Sequence, residues 1–209
     1  MDGDMTPKAT HAREEGAAKE VSAADLWLGL QLRTLRKAAK LSMSELAQKA
    51  NLSVGMISKI DRGVASLSTR SLRKISEALG VAPAEFFHDG LQPPLEEMGK
   101  IVRKMARRQL TLPRNGVSKQ LLTPDLDGAT EMLLVIVEPG GTSGPEHYVH
   151  KGEDAGLVLS GSLELRIEGR MHLLNEGDSF RFKSTLPHRF ANPTESEAQV
   201  LWVITPPLY

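Results

Sequence analysis

The sequence predicts a two-domain chain, an all-α unit of five short helices followed by an all-β unit closed as a sandwich or barrel. Three observations predict it. Apolar residues recur with helical spacing from Asp25 to Phe87, as in Leu28, Leu32 and Leu35 and again in Leu72, Ile75 and Leu79. From about Lys100 onward the period drops to two, as in Leu163, Leu165 and Ile167 or Phe180 and Phe182, with glycine turns at Gly161, Gly169 and Gly177. Between them, His88 to Gly99 is polar and turn-rich and reads as a joint. A chain of 209 residues is long enough for two cores. The expected division is a disordered polar tail over 1–24, a helical domain over 25–88, a linker over 89–99 and the β-domain over 100–209.

The helices are expected near 25–39, 43–50, 54–61, 69–79 and 83–87. Ser42 suits the cap of the second helix, and Glu45 three residues on completes a capping box. Ser53 suits the cap of the third, and Gly63 and Gly80 can take the left-handed conformation that ends a helix. Pro83 fits the first turn of a short final helix. Leu46, Ala47, Ala50, Leu52, Ile57 and Ile60 fall where two helices crossing over a tight turn bury them, and Ser44, Ser53, Ser58 and Lys59 fall on the wet side. This is a helix-turn-helix pattern.

Charge is segregated although the chain is neutral overall. Residues 25–88 hold ten Lys and Arg against five Asp and Glu, whereas residues 120–209 hold six against thirteen. A basic module joined to an acidic one suits a protein that presents its N-terminal half to phosphate. Arg103, Lys104, Arg107 and Arg108 form a basic stretch, read as a solvated opening strand of the β-domain. Cysteine is absent, which excludes disulfides and thiolate metal sites. No apolar run approaches the length of a membrane span and the first residues lack the apolar core of a signal peptide, so a cytoplasmic protein is expected, with no membrane partner.

From Leu32 to Phe87 the segments LRTLRKAAKLSMSELA, ANLSVGMISKIDRG and SLRKISEALGVAPAEFF resemble, in order and spacing, the lambda-repressor-like helix-turn-helix regulators, also called the XRE family. The resemblance implies that the third helix enters the major groove of double-stranded operator DNA and presents Ser53, Val54, Gly55, Met56, Ser58 and Lys59. Lys59 can contact guanine or phosphate, and Val54 and Met56 can pack on thymine methyls. Arg62, Arg70 and Arg73 are the candidates for backbone contacts. The resemblance also implies a buried ion pair between Arg36 and Asp61. Met43 stands where the family commonly has a phosphate-clamping glutamine.

The β-domain resembles the cupin family, a double-stranded β-helix or jelly-roll barrel. GTSGPEHYVHKGEDAGLVLSG supplies the frame of its first motif from Gly141 to Gly161, and Gly177, His188 and Asn192 supply the frame of the second. Metal-binding cupins carry two histidines and a glutamate in the first motif and a third histidine in the second. Counting forward from Gly141 selects His147; counting back from Asp154 selects His150 and puts Tyr148 where the other histidine belongs. In an extended strand residues 148 and 150 share a face and 147 points away. His150, Asp154 and His188 therefore form a candidate set for a divalent metal such as Fe, Zn, Ni or Mn. The alternative is a former metal site in which Tyr148, His150, Asp154 and His188 line an organic-ligand pocket.

Together the two resemblances imply a ligand-responsive transcriptional regulator, a homodimer joined through its barrels, with a small-molecule effector, and not an enzyme. The rival is an iron-dependent oxidase resembling phosphonate epoxidase, which shares the layout.

Overall fold

The computed structural model describes residues 22–65, 67–87, 94–125 and 128–208. Most of the expected tail and part of the expected linker, residues 89–93, lie outside the described residues. Among the described residues four α-helices come first: α1 (Ala23–Ala38), α2 (Met43–Ala50), α3 (Val54–Asp61) and α4 (Thr69–Leu79). Helix α1 starts two residues earlier than its apolar stripe because Ser22 caps it, its hydroxyl accepting from the Asp25 amide at 3.0 Å. Both halves of the Ser42–Glu45 capping box form at the start of α2. Left-handed Asn51 and Gly80 end α2 and α4. Leu32, Leu46, Ile57, Ile60, Leu72 and Ile75 fill the core between them.

The fifth expected helix, over 83–87, is instead a 3-10 turn, Pro83–Phe86. Only four residues separate extended Ala82 from extended Phe87, and their amides bond three residues back rather than four. The tight turn lets the adjacent Phe86 and Phe87 side chains both reach the core.

Nine strands follow: β1 (Gln109–Leu112), β2 (Val117–Leu121), β3 (Glu131–Val137), β4 (Glu153–Ser160), β5 (Ser162–Ile167), β6 (Arg170–Asn175), β7 (Ser179–Lys183), β8 (His188–Ala191) and β9 (Ala198–Thr205). They form a six-stranded sheet, β1-β2-β3-β9-β4-β7, and a three-stranded sheet, β6-β5-β8, with every pairing antiparallel. Strict alternation of burial in β3 and β9 sends Leu133, Val135, Val200, Trp202 and Ile204 inward. Met132 is only half-buried on the opposite phase of β3.

The basic stretch before β1 is not an opening strand. Lys104–Ala106 is a 3-10 turn, Arg103 pairs with Glu97, and Arg107 donates to Gln120 Oε1 at 3.1 Å. Arg108 donates to the Ala84 carbonyl at 2.8 Å and so ties the barrel to the helical domain. A second tie joins α1 to the β1–β2 turn, where Arg114 Nε lies 3.3 Å from Oδ2 of buried Asp25. These contacts use up cations that the sequence alone assigns to solvent.

Candidate functional site

Helix α3 is capped at its start and presents an exposed face. Ser53 caps it, its hydroxyl accepting from the Met56 amide at 3.1 Å. Val54, Gly55, Met56 and Lys59 are exposed, and Ser58 is half-buried. A Cβ on Gly55 would meet nothing within 4 Å, so packing does not demand a glycine there and the open backbone is free to approach a ligand closely. Arg62 is exposed and donates to the Ser58 carbonyl at 3.2 Å.

The far end of α3 is clamped to α1 through buried Asp61. Its Oδ1 lies 3.4 Å from Arg36 Nη2, its Oδ2 lies 3.0 Å from Arg33 Nε, and Arg33 also donates to the Asp61 carbonyl at 3.0 Å. Arg33 was not singled out from sequence, although three-residue spacing puts it on the same helix face as Arg36. Gly29 was missed too. A Cβ there would stand 2.6 Å from the Ile60 carbonyl oxygen, so only glycine lets α1 cross α3 at this distance. Met43 packs half-buried against the core.

Arg70 and Arg73, candidates for contacts to the DNA backbone, make contacts to the barrel. Both lie where α4 abuts the barrel: Arg70 pairs with Glu146, and Arg73 donates to the Val149 carbonyl and lies 3.5 Å from Glu77. The reason is that the first residue of α4, Thr69, is buried among the residues lining the barrel interior, and its neighbours are drawn down onto the barrel mouth.

Inside that mouth His150, Asp154 and His188 converge, each offering one ligand atom within 4.8 Å of the others. The strands explain the meeting. His150 ends the segment before β4 and Asp154 lies in β4, with a bend at 151–152 that folds the one back towards the other, and the segment carrying His150 is held against β8 by a bridge from Tyr148 to His188. Gly152 makes the turn between them, with a φ of +93° and no room for a Cβ against the Thr205 carbonyl. His147 is exposed outside and is not one of the three. Tyr148 is buried, its ring edge-on to His188 with centroids 4.3 Å apart.

Each imidazole is held by its Nδ1, His150 at 3.0 Å from the Lys151 carbonyl and His188 at 2.8 Å from the Leu186 carbonyl. A carbonyl only accepts, so Nδ1 carries the hydrogen and a neutral ring turns the lone pair of Nε2 inward. Both Nε2 atoms face Asp154 Oδ2, at 3.0 and 3.6 Å. Asp154 Oδ1 is satisfied by the Trp202 indole N–H at 2.6 Å, while Asp154 Oδ2 and His188 Nε2 are buried without a hydrogen-bond partner. Three acceptors facing one another need a positive charge between them, a proton or a metal ion.

Where that positive charge is a proton between His150 and Asp154, it acts on the carboxylate: burial raises the Asp154 carboxyl, but the hydrogen bond and charge from His150, with the Ser184 and Trp202 donors, outweigh it and hold the group below the ordinary carboxylate range. Burial pushes the His188 imidazole below its ordinary value, against the opposing pull of the Leu186 carbonyl and Asp154. Lys119 also lines the interior, and burial pushes its ammonium down to about 8 against the charges of Glu131 and Asp154. Neither Lys119 nor the indole donor of Trp202 was legible as a site residue, because a lone lysine or tryptophan on an alternating strand carries no motif.

Comparison with known proteins fits this layout. Residues 32–86 match the helix-turn-helix family model and residues 133–204 match the cupin domain model. The chain is 27% identical over 179 residues to the HTH-type transcriptional regulator PuuR of Escherichia coli (strain K12), covering 85% of this chain and 94% of that protein. The chain thus carries an XRE-type helix-turn-helix domain and a cupin domain and is homologous to PuuR. A second relative, the HTH-type transcriptional regulator SutR of Escherichia coli (strain K12), is 24% identical over 169 residues, 81% of this chain and 89% of that protein. The fold is that of an HTH_3 family transcriptional regulator from Vibrio cholerae, with a TM-score of 0.60 at 22% identity over 88% of this chain and 97% of that one. These regulator homologues, with the helix-turn-helix match, support a DNA-binding transcriptional regulator. Among the described residues no helix is long and apolar enough to cross a membrane.

Proposed function

We propose that this XRE–cupin regulator reads a two-fold related operator as a homodimer, with residues 25–88 as the reader and residues 100–209 as a barrel that holds a divalent metal and couples a small-molecule effector to DNA binding. The observation that carries the reading half is the exposed face Val54, Gly55, Met56 and Lys59 on a helix locked from behind by Asp61. With one long donor on that face, much of the specificity comes from DNA shape and from half-site spacing. A single helix-turn-helix covers too few base pairs, so two copies are needed. Exposed Leu157, Leu159, Met171 and Leu173 on β4 and β6 supply apolar surface for a second barrel. Such a protein works beside the chromosome, in the cytoplasm.

The metal half of the proposal is supported by the buried acceptors without partners. His150, Asp154 and His188 would hold the ion, a two-nitrogen, one-oxygen set that suits Fe, Zn, Ni or Mn. Bound there, a divalent ion supplies the fixed positive charge that three facing acceptors lack. Lys151 and Leu186 carbonyls orient the two imidazoles and Trp202 orients the carboxylate, so this chain's own residues set the direction of every ligand atom. Room beside the triad is about 10 Å³, which takes a water-sized species and no organic substrate. An oxidase reading has no space to act in.

The test is selection of full-length protein on a random duplex library, followed by titration of the enriched duplex. Affinity is expected to fall on the order of a thousandfold between about 50 and 200 mM salt, because two modules each displace counterions from several phosphates. Failure to enrich any duplex, or binding indifferent to salt, overturns the operator reading.

A further inference from the structure

The barrel interior is too full for an organic effector, but space of the right size lies at its mouth. Between α4 and the loop leading into β4 is a cleft of about 470 Å³, in the range of small-molecule sites. Its helical wall is Arg70, Arg73, Lys74 and Glu77, and its barrel wall includes Tyr148 and Val149. We propose that this interdomain cleft binds a small organic anion, a carboxylate or phosphate ester, with its acidic group on the Arg70–Arg73–Lys74 face and its carbon skeleton on Tyr148 and Val149.

Charge and spacing carry the assignment. Among the lining side chains three fixed cations meet one carboxylate, Glu77. Residues 70, 73 and 74 are three and four apart on α4 and so share a face. Arginine is the side chain whose planar fork matches carboxylate and phosphate oxygens. At the edge of the cleft Arg70 already holds an internal stand-in for the ligand: the carboxylate of Glu146, which lines the neighbouring cleft and whose side chain is 64% exposed, pairs with it. An ion pair held at that exposure is weak and is readily exchanged for a better-placed anion.

The site also has something to act on. Glu146 and Val149 belong to the barrel while Arg70 and Arg73 belong to α4, so an anion that takes over the arginines breaks the contacts that dock α4 on the mouth. The N-cap of α4, Ser68, packs on Gly144, and a neighbouring cleft runs from Gly144 and Pro145 to Ser53 and Met56 at the start of α3. Release of α4 therefore changes what stands beside the reading helix. In the other direction Tyr148 joins the cleft to His188 edge-on. The effector role rests on the regulator reading above; the binding site does not.

The experiment titrates benzoate, phenyl phosphate and, as the cationic counterpart, benzylamine into the full-length protein at constant ionic strength, following backbone amide shifts by NMR. Both anions are expected to bind at least tenfold more tightly than benzylamine, with shifts concentrated in residues 70–77 and 147–149, and the tighter of the two identifies the acid class. Arg73→Gln is expected to weaken binding at least tenfold, and Lys74→Gln, which removes charge without touching the docking contacts, at least threefold. Glu146→Gln is expected to tighten it severalfold, and Arg181→Gln on β7 to leave it unchanged. Anions that bind no better than benzylamine, shifts outside the cleft, or equal binding by the Arg73 and Lys74 variants overturn the site. DNA binding by a protein indifferent to both anions leaves the regulator reading standing and removes this one; anion binding by a protein that selects no duplex supports the site and removes the operator reading.

Discussion

The two domains bury charge in opposite ways. In the helical domain Asp61 is enclosed by Arg33 and Arg36, and both of its carboxylate oxygens and its carbonyl meet a donor. In the barrel Asp154 is enclosed by two imidazoles whose inward nitrogens accept rather than donate, and one of its oxygens has no partner. A satisfied buried carboxylate is a fastening that orients a helix. One left facing other acceptors is a group that a cation would satisfy.

The largest expected effect tests the barrel side. Asp154→Asn should lower divalent-metal affinity on the order of a thousandfold, more than loss of an outer-shell partner does, as measured by calorimetric titration with zinc or manganese. In chelator the same variant should lose no more than about 1 kcal/mol, because an amide N–H₂ can donate to the two inward nitrogens that a carboxylate cannot satisfy. A severe loss of stability there would make Asp154 a fastening like Asp61 and erase the contrast.

Arg36→Ala tests the helical side. It should lower the stability of the helical domain by about 3 kcal/mol, since Asp61 stays buried with only the half-exposed Arg33 to answer it. An unchanged melting temperature would show that Arg33 alone suffices. Lys59→Ala should cost about 2 kcal/mol in operator affinity and flatten discrimination at one base position if the side chain reads a base edge; uniform loss over all sequences assigns it to phosphate. Ser53→Ala should be the smallest, about 1 kcal/mol of stability from the lost cap, read by denaturant titration.

The helices were legible because each is specified by its own neighbours. Capping serines, left-handed stops and apolar spacing act within one or two turns, and the predicted spans 43–50, 54–61 and 69–79 coincide with α2, α3 and α4. The span 83–87 failed because helical patterning over five residues cannot distinguish an α-turn from the tighter turn that buries two adjacent phenylalanines.

What the sequence by itself determined was the identity of the elements and the phase of strands: the caps and spans of α2, α3 and α4, and the inward turn of Leu163 and Leu165 on β5. What only the tertiary structure decided was which groups those elements bring face to face. Arg33 joins the Asp61 clamp, Trp202 and Lys119 join the triad's surroundings, and Arg70 and Arg73 turn to the barrel instead of standing free. The physical reason is range. Helix caps and strand alternation are settled by contacts a few residues apart, whereas the surroundings of a buried carboxylate depend on elements distant in sequence that pack within one domain, and the partners of Arg70 and Arg73 on the meeting of the two domains.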